Sequence, residues 1–378
     1  MTGAVQNAAV EERREPGLDR LRGLVIVLMA LDHARMFFHI DVLRFSPTDL
    51  TQTYPALFLT RFVTHYCAPS FALLAGLGAF LHYAKGHDQT RTAKFLLTRG
   101  LWLVFLDVAL ISPIFTQEIG KFALGTLWAI GCGLIALSAL CFLGSRAALA
   151  IGCVILACHD LLDGVHGASV GAFGPFWNLL HEPGPLPFGI AGRVAYPILP
   201  WIGVVALGYG LGPLFLEDAA KRKRILTTAG LAALFGFILL RGINHYGDPK
   251  PWSVQPTLAM TALSFLNVSK YPPSLLYSLV TLGPALILLP RTEMLGGAAG
   301  AILANFGRTP LFFYVTHLYL GAAVVLVLTQ FAKTPEAYRV ALPWVYLAWI
   351  ALVAALYPAC RWFADLKRRS DAWWLSYL

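Results

Sequence analysis

Stretches of about twenty mostly apolar residues recur along this chain, and they constrain its fold more than any other feature. A helix crossing ~30 Å of hydrocarbon needs about 20 such residues. Inside lipid each backbone N–H and C=O must also find its partner within the protein, which a helix achieves by itself. Windows of this kind fall at roughly 21–40, 57–84, 99–117, 122–143, 147–162, 194–215, 225–243, 272–289, 303–329 and 343–364. The composition agrees: 57% of residues are hydrophobic and 13% charged, where a soluble domain carries roughly 25% charged residues. A soluble enzyme and a nucleic-acid-binding domain are excluded. The expectation is an all-α polytopic membrane protein with about ten transmembrane helices in a lipid bilayer.

Loop charges orient it. Lys and Arg (29) outnumber Asp and Glu (20), and such an excess collects in cytoplasmic loops. With the N-terminus inside, the inner segments hold Arg13, Arg14, Arg20 and Arg22, then Lys85, Arg91 and Lys94, then Arg146, the run Lys221 to Arg224, Arg291, and Lys367 to Arg369. The outer loops hold fewer, among them Arg44, Lys121, Arg193, Lys250, Lys270, Lys333 and Arg339. Both termini are therefore expected in the cytoplasm. Residues 1–18 and 367–378 read as tails, and 19–366 as the membrane domain. The polar start MTGAVQNAAVEERREPGLDR does not read as a cleavable signal peptide. Pro69, Pro113, Pro200 and Pro310 predict kinked or broken helices. The six cysteines lack zinc-site or disulfide spacing. Two outer loops, about 163–193 and 244–271, are long enough to form a lid.

Ionisable residues inside the hydrocarbon zone are expensive and usually face a cavity or the bundle interior. The first window, LRGLVIVLMALDHARMFFHI, contains Asp32, His33, Arg35 and His39. At 1.5 Å per residue, Asp32 and His33 lie ~16–18 Å from the inner surface. Asp32, Arg35 and His39 would share one helix face, with His33 turned about 100° away. The second window carries Arg61 and His65, and the ninth carries Asn305, Arg308, Tyr314 and His317. Each has a structural alternative: an Asp32–Arg35 bridge, an Arg61 that reaches the outer interface, a satisfied core His317. Asp107, and His159 beside Asp160, read as structural. Buried histidines on separate helices can bind a transition metal or move protons. No HExxH-like spacing is present, and no metal is expected.

Several phrases, in order, resemble one family: LDRLRGLVIVLMALDHARMFF, APSFALLAG, YPILPWIGVVALGYGLG, RGINHYGDPKPW, SFLNVSKYPPSLLYSLVTLGP, FGRTPLFFYVTHLYL and YPACRWFADLKRR followed by WWLSYL. They resemble the bacterial group related to heparan-alpha-glucosaminide N-acetyltransferase, within the transmembrane acyltransferase superfamily. The resemblance implies transfer of an acetyl group from cytosolic acetyl-CoA to a sugar-like acceptor, at an amine or hydroxyl, on the far side of the membrane. Eukaryotic relatives place an Asn and then a His around the end of the first span. Here His33 stands in the Asn position, His39 is the nearest candidate for that His, and Tyr314 to His317 matches a late Tyr-x-x-His. Related acyltransferases show an Arg, ten residues, then a His, a spacing that Arg22 and His33 share. The missing Asn and the absence of a large luminal domain leave the acceptor open.

The roles implied follow. His33, with Asp32, His39 and His65 around it, would supply acid–base catalysis, since an imidazole accepts a proton near neutral pH. Arg22, Arg99, Asn305 and Arg308 would hold coenzyme A, whose phosphates favour Arg. Arg35, Arg61, Lys270, Tyr314 and His317 would meet the acceptor or the developing oxyanion. A homodimer is compatible with this picture. The alternative is a transporter or proton-coupled carrier of a small polar solute, whose relays use the same buried residue types. Such carriers often show internal repeats, and none is visible here.

Overall fold

The computed structural model describes residues 16–332, 334, 336–370, 372 and 375. Arg13, Arg14 and Lys333, most of the N-terminal tail, and Trp373, Trp374, Ser376, Tyr377 and Leu378 of the ending lie outside the described residues. In chain order the first helices are α1 Pro16–Phe38, α2 Pro55–Thr64, α3 Cys67–Ala84, α4 Gln89–Leu106, α5 Ser112–Thr116, α6 Thr126–Leu140, α7 Gly144–Cys158 and α8 Gly174–Leu180. The rest are α9 Leu199–Leu211, α10 Ala219–Ile243, α11 Leu258–Leu266, α12 Leu275–Thr292, α13 Gly297–Arg308, α14 Pro310–Phe331 and α15 Leu342–Arg369.

Among the described residues, eight helical stretches are long and apolar enough to cross a membrane. The sequence windows number ten, and two features account for the difference. α1 carries Arg22, Asp32 and Arg35 within its apolar part, which keeps it out of the eight. α6 and α7 fall within one apolar stretch, Thr126–Leu162, although Gly144 at φ +82 breaks the helix between them. That left-handed conformation costs glycine little. Helix starts follow local chemistry: the Asp218 carboxylate accepts from the Ala220 and Lys221 amides at 3.1 and 3.0 Å and caps α10. Pro200 and Pro310 sit in the first turns of α9 and α14 and start helices there instead of kinking them.

The chain divides into two compact units. One comprises Ala68–Pro251 and Val268–Arg291. Within it α4 packs on α6, and α9 on α6 and α7. Small residues permit the approach: a Cβ on Gly100 would lie 2.6 Å from the Gly131 carbonyl oxygen. A small sheet of β1 Phe122–Leu124, β2 Gly184–Pro185 and β3 Gly192–Val194 has the order β1-β3-β2, with β1 parallel and β2 antiparallel to β3. The loop over 163–193 is thus not irregular, since it holds α8, β2 and β3. Asp107 accepts from the Gly125 and Leu127 amides at 2.8 and 3.1 Å and closes the start of α6. Asp160 accepts from the Leu275 amide at 2.9 Å at the start of α12. Both carboxylates thus accept from backbone amides at helix starts.

The other unit comprises Pro16–Cys67, Trp252–Asn267 and Thr292–Leu378. α1 runs against α13 at very short range: a Cβ on Gly23 would lie 1.9 Å from the Leu303 carbonyl oxygen. α14, α15 and α2 also pack on α1. Ala34, Leu57, Leu342 and Val345 form a buried cluster where the latter two meet it. The first window ends earlier than expected. The helix stops at Phe38, and Val340 pairs with the chain beyond it, the Ile40 amide donating to its carbonyl at 3.0 Å. His39 is therefore extended (φ −74, ψ 136) and leaves the face that Asp32 and Arg35 share. The ninth window is two helices, with Asn305 and Arg308 on α13 and Tyr314 and His317 on α14.

Candidate active site

α1 and α14 bring two histidines together at mid-helix depth. His33 Nδ1 stands 2.6 Å from His317 Nε2, with the rings inclined by 16°. His317 is fully buried and its Nδ1 lies 2.8 Å from the Phe313 carbonyl oxygen, one helical turn back. A carbonyl only accepts, so the His317 proton sits on Nδ1 and Nε2 carries the lone pair. His33 Nδ1 must then be the donor of the short bond. On a neutral His33 the remaining lone pair falls on Nε2, the nitrogen turned from its partner. Phe313 stacks on His317 at 5.0 Å, and Tyr314 meets both imidazoles edge-on at 6.1 and 5.8 Å. The aromatic packing fixes both rings, so the tautomer is built into the fold.

One residue before His33, Asp32 holds two guanidiniums. Arg35 donates to Asp32 Oδ1 through Nη2 at 2.9 Å and Nε at 3.3 Å, and Arg61 of α2 donates to Oδ2. Asp32, Arg35 and Arg61 are all largely buried. The three side chains sum to +1, and Arg61 is committed to α1 instead of reaching for an interface. His39 is engaged elsewhere: its Nδ1 accepts from the Asp41 amide at 3.3 Å and its Nε2 lies 3.2 Å from the Tyr54 hydroxyl. His65 is buried at the end of α2, beside Phe62.

Nearer the start of α1 a second charged group assembles. Asp19 pairs with Arg22 at 3.1 Å and with Arg308 of α13 at 3.7 Å, while Arg22 also donates to the Gly307 carbonyl at 3.1 Å. Asn305 donates to the Tyr357 hydroxyl at 3.0 Å. Arg22 and Arg308 thus stand together about 16 Å along α1 from His33 at 1.5 Å per residue, so the Arg22-to-His33 spacing spans two groups and not one. Arg99 lies on α4 and Lys270 before α12, both in the other compact unit.

The sequence model of the family described as heparan-alpha-glucosaminide N-acetyltransferase, catalytic, matches residues 14–243. The chain belongs to this family. No curated protein matches it. Membership together with its apolar helices makes it an integral membrane protein of the N-acetyltransferase class. The span that carries the family match includes Asp32, His33, Arg35 and Arg61, whereas Asn305, Arg308, Tyr314 and His317 lie beyond it. The structure draws Arg308, Tyr314 and His317 onto α1, while Asn305 reaches Tyr357 of α15. Asp19 carries only a weak local signal, its i, i+3 spacing to Arg22. The His33–His317 and Asp32–Arg61 pairs left no local signal, since their members are far apart in the chain.

Proposed function

We propose that the protein transfers an acetyl group from cytosolic acetyl-CoA to an amine or hydroxyl of a sugar-like acceptor at the outer face of the bacterial cytoplasmic membrane. In this proposal residues 19–366 form the transferase, crossing the bilayer about ten times, with both tails in the cytoplasm. The observation that carries it is the paired His33 and His317 on helices of an acetyltransferase family.

Acetyl-CoA supplies an activated thioester. The acceptor N–H or O–H proton passes to His33 Nε2 as the acceptor attacks the acetyl carbon, and that proton then serves the departing thiolate. The new bond is acceptor to acetyl carbon, and the bond broken is acetyl carbon to sulfur. As His33 takes the proton it becomes cationic, and its Nδ1–H bond to His317 becomes charge-assisted and stronger. The group of Arg35, Arg61 and Asp32, with its surplus positive charge, favours the negative charge that develops on the carbonyl oxygen. Arg22 and Arg308, with Asn305 near them, are the coenzyme A contacts. Asp19 holds the two arginines in place before the phosphates arrive. Purified protein in lipid nanodiscs, given acetyl-CoA and an amino-sugar panel, should release coenzyme A thiol only when acceptor is present. Solute flux through proteoliposomes with no dependence on acetyl-CoA would overturn the assignment in favour of a carrier.

A further inference from the structure

We propose that Lys270, Tyr196 and Tyr271 form a recognition site for an acidic sugar, a glycosyl ring bearing a carboxylate or phosphate. As the identity of the acceptor this rests on the transferase proposal; as a binding site it stands apart from it.

Lys270 is only 9% exposed. Among the described residues no oxygen accepts a hydrogen bond from its Nζ and no carboxylate pairs with it. What surrounds the ammonium is aromatic: the Tyr196 and Tyr271 rings lie 5.7 and 5.4 Å from it. Ring faces attract a cation, yet they supply no counter-charge. A largely desolvated ammonium with three donors is expensive to keep without an acceptor.

Asp248, which holds the amide of the preceding residue Ser269, is already committed. Asp248 accepts from the Lys250 amide at 2.9 Å, the Ser269 amide at 2.7 Å and the Ser274 hydroxyl at 2.8 Å, and lies 3.8 Å from Arg241. Those bonds serve another end. They fix the turn that carries Lys270, which also pairs with Pro273, before any ligand arrives. The ordering cost of binding is correspondingly small.

The two tyrosines meet edge to face at 5.1 Å and 83°, forming an aromatic corner. Tyr271 is 41% exposed, so the corner is open to solvent on its side. An apolar wall with one convergent polar group is the usual form of a small-molecule site. Here the wall suits the C–H face of a pyranose, and the ammonium suits an acidic substituent on that ring. A bare phosphate or acetate would use the ammonium and leave the aromatic corner idle.

The test is binding to protein in phosphatidylcholine nanodiscs, with methyl glucuronide, glucose 1-phosphate, methyl glucoside and acetate as probes. At least one acidic sugar should bind tenfold or more tightly than methyl glucoside and than acetate. Lys270→Met should erase that preference, Lys270→Arg should keep part of it, and Tyr271→Leu should weaken the sugars while leaving acetate unchanged. Thermal melting of each variant guards against misfolding, and the Arg variant retains a charge if the Met variant fails to fold. Equal affinity for neutral and acidic sugars, no sugar binding, or an unchanged preference in Lys270→Met would overturn the proposal. So would displacement of the sugar by phosphatidylglycerol placed in the disc, which would make this a lipid site. Acetyl-CoA binding and turnover are measured alongside: acidic sugar bound by a protein that never uses acetyl-CoA would end the transferase assignment and leave this site standing.

Discussion

Removing His317 should slow acetyl transfer by an amount that its geometry bounds. His317 touches the reaction only through His33, holding Nδ1–H at 2.6 Å and so keeping the lone pair on Nε2. In the ground state that contact is a neutral hydrogen bond, worth about 0.5–1.5 kcal/mol net. In the transition state His33 carries charge, and such a bond is worth about 1.5–3 kcal/mol. Turnover responds only to the difference between the two, about 1–1.5 kcal/mol, which at 1.36 kcal/mol per tenfold is a loss of about 5- to 13-fold. His33→Ala removes the base itself and should cost about 10²–10⁴-fold. The assay is single-turnover release of coenzyme A thiol, with acetyl-CoA affinity and thermal melting measured on each variant. The double variant is the decisive one. A residue acting through His33 has nothing left to act on once His33 is gone, so the double variant should match His33→Ala. His317→Gln, which restores an acceptor oxygen, should recover part of the loss. A double variant whose losses multiply would refute the reasoning, as would a folded His317→Ala with turnover within twofold of the parent. Either result would leave His317 a packed core histidine.

Asp32→Asn should destabilise the protein strongly, because it leaves Arg35 and Arg61 buried together without their shared carboxylate; breaking such a group costs about 3–5 kcal/mol, read as a lowered melting temperature, and a folded variant with unchanged melting would refute it. Arg308→Ala should weaken acetyl-CoA binding about tenfold, at 1.4 kcal/mol per decade, with little effect on turnover at saturation; unaltered affinity by calorimetry would make the Arg308–Asp19 pair purely structural. Cysteines introduced at Lys221 and Gly247 should react with impermeant reagent from opposite sides of the membrane, and labelling of both from one side would overturn this topology.

Class, helical content and family were legible in the chain itself. Apolar windows of bilayer length need no tertiary information, since burying a backbone in lipid requires a helix whatever it packs against. The phrase LDHAR at mid-window already marked α1 as the costly helix, because the expense of Asp32, His33 and Arg35 in hydrocarbon is a property of the residues. The structure decided who compensates whom. The histidine that orients His33 comes from α14, and the second guanidinium on Asp32 from α2; no periodicity along one helix can report a partner hundreds of residues away or on a separate helix. Tertiary contact also removed His39 from the face of Asp32, since Val340 pairs with the chain there and ends α1 at Phe38. It split the ninth window at Thr309–Pro310, placing Arg308 beside Asp19 and His317 beside His33. Composition and spacing set which side chains are costly in a membrane, and packing alone chose their partners, His317 beside His33 among them.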